Sequence, residues 1–310
     1  MLLTIAGLVA LFASGGLALF VAIQRNGAAV LNAFDRLTGG SGGAALLATI
    51  STGDHPEQQV IVWGPENGAS DDARLPVLVF VHGGSWASGN PVDYGFIGRA
   101  FVPKGFVVVL AGYRLGPDGK YPGMIEDTAR AIGWTHREIA QYGGDPAQIF
   151  VAGHSAGAYN VMMTALEEKW LAAEGVGLSD IAGVVGLSGP YEIYPYTSDA
   201  SKAAFGHAAD PLSTQPIAHI RGDAPPLLLV HGEKDRLVRP KNTPMLAEMI
   251  ETAGGTAEAH LYPEMAHREP LIALASPWRQ RRDIDDKIAE FARSLAVSDT
   301  ASVPVQGETR

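Results

Sequence analysis

The ten residues IFVAGHSAGA (Ile149–Ala158) mark a point where a buried strand ends and a helix begins. Four apolar residues lead to Gly153, and a second apolar run follows Ser155 and Gly157 at helical spacing. Because glycine tolerates sharp turns and close backbone approach, a glycine on each side of the serine indicates a strained strand–turn–helix junction. There the helix dipole would favour negative charge developing near Ser155. A simple helix cap beside an accidental pair of glycines is the alternative.

Short apolar runs rich in Val and Ile alternate with helical patterns on both sides of this stretch. The runs predict strands at Gln59–Trp63, Val77–Val81, Phe106–Ala111, Ile149–Ala152, Ile181–Leu187, Leu227–Val230 and Ala257–Leu261. The helical patterns fall at Met124–Tyr142, Ala156–Ala173, Pro240–Ala253 and Ile284–Leu295. Apolar strands separated by helices predict an α/β fold with a mostly parallel central sheet and helices on both faces. In such sheets the functional site lies at the carboxyl ends of the strands.

The composition excludes several classes of protein. A chain of 310 residues can bury a substantial core. The net charge is -10 and the sequence has no long run of Lys and Arg, so we expect no nucleic-acid partner. The chain has no cysteine, which excludes disulfides, thiolate metal sites and a cysteine nucleophile. No pair of histidines shares a helix face at metal-ligand spacing, so we expect no metal and no other cofactor.

The two ends of the chain differ from its middle. Residues 2–23 carry no charged side chain and could cross a hydrocarbon core of roughly 30 Å as one helix. We expect a retained membrane anchor, with Arg25 and Arg36 after it favouring a cytoplasmic catalytic domain. The alternatives are a cleaved signal, which gives a periplasmic or secreted enzyme, and a buried or partner-binding helix. The expected divisions are 1–24 (anchor or signal), 25–56 (linker or lid with some helix), 57–296 (catalytic domain) and 297–310 (disordered tail).

A serine hydroxyl becomes a good nucleophile only when a base removes its proton, and the base is usually a histidine oriented by a carboxylate. Asp235 lies in the loop after strand Leu227–Val230, and His267 lies in the loop after the next predicted strand. The order serine, acid, histidine is one of the known chain orders of a catalytic triad. Ser155, Asp235 and His267 are therefore the predicted catalytic residues. Glu233, two residues nearer the strand, is the rival acid.

A second glycine-rich turn, His82-Gly83-Gly84-Ser85-Trp86, directly follows strand Val77–Val81. Glycines allow backbone N–H groups to approach the oxyanion of a tetrahedral intermediate. The predicted oxyanion donors are the N–H groups of Gly83, Gly84 and Ala156, the last being the residue after the nucleophile. His82, His154 and His231 are interpreted as structural histidines.

In this order the segments HGGSW, GYRLGP, YGGDP, GHSAGA, HGEKD and AH resemble bacterial α/β-hydrolase-fold serine esterases. The group includes carboxylesterases similar to hormone-sensitive lipase, enzymes similar to feruloyl esterases, and kynurenine formamidases. The resemblance covers roughly residues 58 to 296 and implies the same triad and oxyanion donors. Ser85-Trp86 stands where the lipase-like branch has a third glycine, as in the HGGxW branch. The apolar amino-terminal run is not part of the shared domain.

A tyrosine-rich segment after the predicted strand Ile181–Leu187 predicts a small cap over the substrate pocket, at about residues 189–224. Trp86, Tyr113 and Tyr191 are the predicted pocket residues. A short cap favours carboxylic esters with small to medium acyl chains as substrates, cleaved through an acyl-enzyme. The alternatives are an amidase of the kynurenine formamidase type and a non-catalytic ligand-binding relative. The last is disfavoured because all three triad positions are filled.

Overall fold

The computed structural model describes residues 21–23, 25–39, 42–68 and 74–301. In this part of the chain eight strands form one sheet, in the order β1-β2-β4-β3-β5-β6-β7-β8. The strands are β1 (Ala44–Ser51), β2 (Gln59–Pro65), β3 (Leu75–Val81), β4 (Val107–Ala111), β5 (Gly144–His154), β6 (Ile181–Leu187), β7 (Leu227–Gly232) and β8 (Ala257–Tyr262).

Six of these strands, β3 to β8, run parallel to one another. At one side of the sheet β2 pairs antiparallel with β4, and the edge strand β1 pairs antiparallel with β2. In the middle of the sheet Val79 is paired with Val109 on one side and with Val151 on the other. The carboxyl ends of the parallel strands therefore meet along one edge of the sheet, here called the carboxyl edge. The prediction of a mostly parallel central sheet is confirmed.

Helices cover both faces of the sheet. Residues 25–39 form the first helix, α1. The others are α2 (Gly95–Phe101), α3 (Gly123–Glu138), α4 (Ala156–Leu166), α5 (Lys169–Ala172), α6 (Asp199–Phe205), α7 (Asn242–Thr252), α8 (Glu269–Ile272) and α9 (Ile284–Ala301). Buried residues of α3, α4, α5 and α7 join the core on one face, and those of α1, α2, α8 and α9 join the core on the other.

The two cores follow from the alternation of side chains along each strand. In β3, Val77, Val79 and Val81 belong to one core, whereas Leu78 and Phe80 belong to the other. A strand buried on both faces must be apolar throughout, which is why these runs were recognisable in the sequence. The loops at the strand ends are then free to carry polar chemistry.

The segment 25–56, predicted as a linker or lid with some helix, contains that helix as α1, but it also adds strand β1 to the sheet. Helix α1 is packed against the domain, where the buried Asp35 accepts a hydrogen bond of 2.5 Å from Arg99 and another from the Ser276 N–H. Residues 44–51 form β1, an edge strand of the sheet. The composition of residues 44–51 did not indicate a strand, because an edge strand buries few residues and therefore lacks a continuous apolar run.

The two ends of the chain bear on the remaining boundary predictions. Helix α9 continues through Ala301, so residues 297–301 of the predicted tail are helical, and residues 302–310 lie outside the described part. Most of the predicted anchor, residues 2–20, also lies outside it. None of the helices in the described ranges combines the length and apolar character that a membrane crossing requires.

The segment between β6 and β7, residues 188–226, forms a small cap over the carboxyl edge. It contains α6 and short 3₁₀ turns. Gln215 holds it together, because its side-chain oxygen accepts hydrogen bonds from the N–H groups of Ile193 and Tyr194. Asn242 at the start of α7 does the same for Tyr191 and Glu192. The side chain of Asn242 thus fixes the cap to the domain by accepting from two backbone N–H groups of the cap.

Candidate active site

Ser155 stands on a sharp turn between β5 and α4, with φ of 54° and ψ of -118°. This left-handed conformation is costly for a residue with a side chain and is typical of functional positions. The flanking glycines are required for close packing. A β-carbon on Gly157 would clash with the carbonyl oxygens of Val81 and His82, and one on Gly153 would clash with the backbone of α4. The two glycines thus allow the turn that directs the serine hydroxyl toward His267.

The three predicted catalytic side chains form one chain of hydrogen bonds. His267 Nε2 lies 2.9 Å from Ser155 Oγ, and His267 Nδ1 lies 2.7 Å from Asp235 Oδ2. Because a carboxylate only accepts, Nδ1 carries the proton, and Nε2 is left to accept from the serine hydroxyl. All three residues are largely buried, with 8% of Ser155 and 9% of His267 exposed.

Besides His267, three further hydrogen-bond donors hold Asp235. Its Oδ1 accepts from the N–H groups of Leu237 at 2.8 Å and Val238 at 2.9 Å. Its Oδ2 also accepts from Nε2 of His231 at 3.0 Å. His231 is fully buried, and its Nδ1 accepts from the hydroxyl of Thr243 at 2.9 Å. The predicted structural histidine therefore contacts the acid directly.

Burial alone would raise the pKa of Asp235, but hydrogen bonds from His231, His267 and Val238 outweigh it and hold that pKa well below its usual range. The carboxylate is therefore ionised at neutral pH. Glu233, the rival acid, is exposed. The geometry thus favours Asp235 as the partner of His267.

His82 and His154 are neutral histidines whose rings hydrogen-bond the loops beside the serine. Burial lowers the pKa of His154 to about 3 and that of His82 to about 4. His154 Nε2 donates to the carbonyl oxygen of His267 at 3.0 Å and so fixes the loop that carries the base. His82 Nδ1 donates to the carbonyl oxygen of Gly83 at 2.8 Å, and its ring stacks on Tyr113.

These two histidines predict a loss of stability in mild acid. In the unfolded chain a histidine binds a proton below about pH 6.5, whereas folded His82 and His154 stay neutral down to about pH 4. The unfolded state therefore binds more protons, and the free energy of unfolding falls as the pH drops from about 6.5 toward 4. We expect a loss of about 1 kcal/mol per pH unit for each histidine, measured by denaturant unfolding between pH 7 and pH 5.

The matched comparison is His154→Gln against His260→Gln, because His260 is only partly buried. His154→Gln should lower stability at pH 7 but flatten its dependence on pH, and His260→Gln should keep the wild-type slope. Equal slopes in both variants would contradict the assignment of the acid sensitivity to the buried ring.

The glycine-rich turn after β3 lies against the serine. A β-carbon on Gly83 would be 3.2 Å from the Ser155 β-carbon, and Gly84 has a φ of 130°. Within the described residues, the N–H groups of Gly83, Gly84 and Ala156 have no protein acceptor. Unpaired N–H groups beside a nucleophile can stabilise an oxyanion.

The three predicted pocket residues have different surroundings. Tyr113 is fully buried, and its hydroxyl donates to the carbonyl oxygen of His82 at 3.1 Å. Tyr191 is also fully buried in the core. Trp86 is 7% exposed, and its Nε1 donates to Asn160 Oδ1 at 3.0 Å. All three side chains belong to the core on one face of the sheet, and only Trp86 keeps some exposure, so it remains the candidate for a pocket wall.

An aromatic cluster that the sequence did not indicate surrounds Trp86. Phe205 of α6 lies 4.8 Å from the Trp86 ring and 5.1 Å from the Tyr159 ring, measured between ring centroids. Tyr159 is four residues after the serine, so it lies on the same face of α4, and that spacing could have identified it. No periodic pattern in the cap marks Phe205. The cap therefore contributes an aromatic side chain beside the oxyanion turn.

The described residues were also searched for side chains that could bind a metal ion. Across the ranges that the structure describes, no group of three or more His, Asp or Glu side chains is arranged to hold a metal ion.

The fold and the hydrogen-bonded serine, histidine and aspartate define an α/β-hydrolase, and the fold prediction is confirmed. The BD-FAE family model matches residues 65–250, which is more than half of the chain. The chain belongs to the BD-FAE family. The resemblance to bacterial esterases of this fold is likewise confirmed.

Curated relatives carry the names of esterases. The chain is 27% identical over 260 residues to isoprenylcysteine alpha-carbonyl methylesterase ICME of Arabidopsis thaliana, covering 76% of this chain and 59% of the relative. It is 28% identical over 236 residues to esterase LipQ of Mycobacterium tuberculosis, covering 70% of this chain and 55% of the relative. The matched region thus spans less than two thirds of the length of these relatives.

Solved structures show the same fold. Esterase B from Lactobacillus rhamnosis superposes with a TM-score of 0.74 at 18% identity, covering 93% of this chain and 98% of that one. The hyperthermophilic esterase from Pyrobaculum calidifontis superposes with a TM-score of 0.69 at 22% identity, covering 86% and 92%.

Proposed function

We propose that this protein is a serine carboxylic ester hydrolase. The observation that carries the proposal is the hydrogen-bonded chain from Ser155 through His267 to Asp235 at a strained turn. The esterase names of the relatives support the same reaction class. The test is a turnover screen of nitrophenyl esters of graded acyl length, with N-formylkynurenine beside them.

In the first half-reaction the Ser155 oxygen attacks the ester carbonyl while His267 Nε2 takes the hydroxyl proton. Asp235 stabilises the imidazolium and holds its tautomer. The oxyanion is bound by the N–H groups of Gly83, Gly84 and Ala156. As the tetrahedral intermediate collapses, His267 gives its proton to the leaving alcohol. Water then attacks the acyl-enzyme by the same route, which releases the acid and restores the serine.

The aromatic cluster limits the acyl group that fits beside the oxyanion turn. Trp86, Tyr159 and Phe205 pack edge to face and fill the space under the cap. Phe205 is fully buried and Trp86 nearly so. We therefore propose esters of small to medium acyl acids as substrates.

Acyl-chain preference follows from this packing. Acetyl to hexanoyl nitrophenyl esters should give a higher kcat/KM than esters longer than about ten carbons, because a longer chain meets the aromatic rings. Phe205→Ala should shift the preference toward longer chains, since it opens space beside Trp86.

The control for that shift is Phe101→Ala, because Phe101 lies in the core on the opposite face of the sheet. It removes a buried ring of the same size and should lower stability without changing the chain-length ratio. Faster cleavage of a palmitoyl than of a butyryl ester by the wild-type enzyme would contradict the proposed pocket.

The amidase alternative has no support in the names of the relatives reported above. It predicts turnover of N-formylkynurenine without ester hydrolysis.

We further propose that residues 2–23 attach the enzyme to a membrane, because this run carries no charged side chain.

A further inference from the structure

Helix α1 begins at the carboxyl edge, beside the catalytic loops. Asn26 Nδ2 donates to Asp93 Oδ2 at 2.7 Å, and Asp93 belongs to the segment after the oxyanion turn. A β-carbon on Gly27 would lie 3.9 Å from Nη1 of Arg268, which directly follows His267. The apolar amino-terminal run therefore joins the domain at the edge of the sheet that holds the triad.

The other end of α1 lies at the opposite edge of the sheet. Gly39 packs against Ser276, and Gly42, just after the helix, packs against Pro103. Pro103 precedes β4, so it lies where the parallel strands begin. Helix α1 thus spans the domain from the carboxyl edge to the edge where the strands start.

The contacts of α1 fix its direction relative to the site. Arg99 bonds the buried Asp35 at 2.5 Å, and its Nη2 donates to Asn32 Oδ1. Asn32 also donates to the carbonyl oxygen of Val92 at 3.3 Å. A buried charge pair is costly to break, so α1 is held as part of the domain. Helix α1 therefore holds its amino-terminal end at the carboxyl edge.

The surface around the start of α1 has the chemistry of a lipid interface. Val21, Ile23 and Val92 are 40%, 38% and 55% exposed. Arg25 and Arg268 are exposed at the same end of α1, and among the described residues neither is in an ion pair. Apolar side chains next to free arginines suit an anionic bilayer surface, although the protein as a whole has a net charge of -10.

We propose that the carboxyl edge faces a lipid bilayer and that the substrate is a short-acyl ester of an alcohol resident in that bilayer. This proposal rests on the proposed esterase function and deepens it. The packed rings of Trp86, Tyr159 and Phe205 limit the acid to a short acyl chain, while the long alcohol extends toward the lipid. Ser155 takes the acyl group as the alcohol leaves with a proton from His267, and water then releases the short acid and restores Ser155.

Two single-cysteine variants test the orientation, which is convenient because the chain has no cysteine of its own. Val92→Cys lies at the carboxyl edge, and Ala147→Cys, exposed near the start of β5, is the matched control at the opposite edge. Each full-length variant is labelled with an environment-sensitive nitrobenzoxadiazole dye and reconstituted into vesicles of phosphatidylcholine and phosphatidylglycerol. We expect a blue shift at residue 92, with quenching by spin-labelled lipid, and neither effect at residue 147.

Equal emission at the two positions, or quenching at residue 147 instead, would overturn the proposed orientation. A blue shift at residue 92 without lipid quenching would also overturn it, and would indicate that residues 1–20 or a second copy cover the surface.

The substrate is tested in the same vesicles with hexadecyl acetate, and soluble nitrophenyl acetate is the control. Turnover of both esters supports the proposal. Turnover of nitrophenyl acetate alone overturns the proposed substrate but leaves the esterase function intact. If neither ester is cleaved, the esterase proposal itself fails, whatever the dye reports.

Discussion

Ser155→Ala should abolish ester hydrolysis and leave the fold intact. The expected loss in kcat is on the order of 10⁶, equivalent to about 8 kcal/mol of activation free energy, because no other group at the site replaces the nucleophile. Alanine is smaller than serine and keeps the turn between Gly153 and Gly157, so the unfolding transition should change little. The measurement is kcat on nitrophenyl butyrate, with denaturant unfolding in parallel.

Ser179→Ala is the control, because Ser179 is exposed in a short turn before β6. It should keep wild-type activity. A Ser155→Ala enzyme that retained a tenth of the wild-type turnover would refute the assignment of the nucleophile.

Asp235→Asn should give the second largest effect, a loss of roughly 10⁴ in kcat. The carboxylate accepts from His231 and His267 at one oxygen and from two backbone N–H groups at the other. An asparagine has only one acceptor oxygen, so either the histidines or the loop must face its NH₂ group. His267 would then lose its orientation or its tautomer.

Glu233→Gln is the matched change on the same loop, and the exposed Glu233 should tolerate it with little loss of kcat. Both variants remove one negative charge, so the comparison separates hydrogen bonding to the base from a general electrostatic effect. A larger loss for Glu233→Gln than for Asp235→Asn would assign the acid to Glu233.

The sequence predicted the parts of this protein that a local pattern determines. Strands buried on both faces must be apolar throughout, so all seven predicted strands correspond to strands of the sheet. Ser155 was identified because a sharp turn needs glycine at fixed positions beside it. Asp235 and His267 followed because parallel strands bring their carboxyl ends to one edge, whatever their separation in the chain.

Other parts depend on tertiary contacts that leave no periodic pattern. Strand β1 is an edge strand and only partly buried, so its composition resembles that of a linker. The cap has short irregular elements, and the packing of Phe205 against Trp86 comes from the path of that loop. The contact of His231 with Asp235 joins residues four apart across a turn, and nothing in the sequence distinguishes it from an ordinary buried histidine.

The assignment of Ser155 as nucleophile is tested most directly by covalent labelling. A fluorophosphonate transfers its phosphonyl group to an activated serine, and peptide mass spectrometry then locates the adduct. We predict one adduct per chain on Ser155, with loss of ester hydrolysis in proportion to labelling and no adduct in the Ser155→Ala variant. An adduct at another residue that tracks the loss of activity, or full activity in a protein completely labelled at Ser155, would contradict this account.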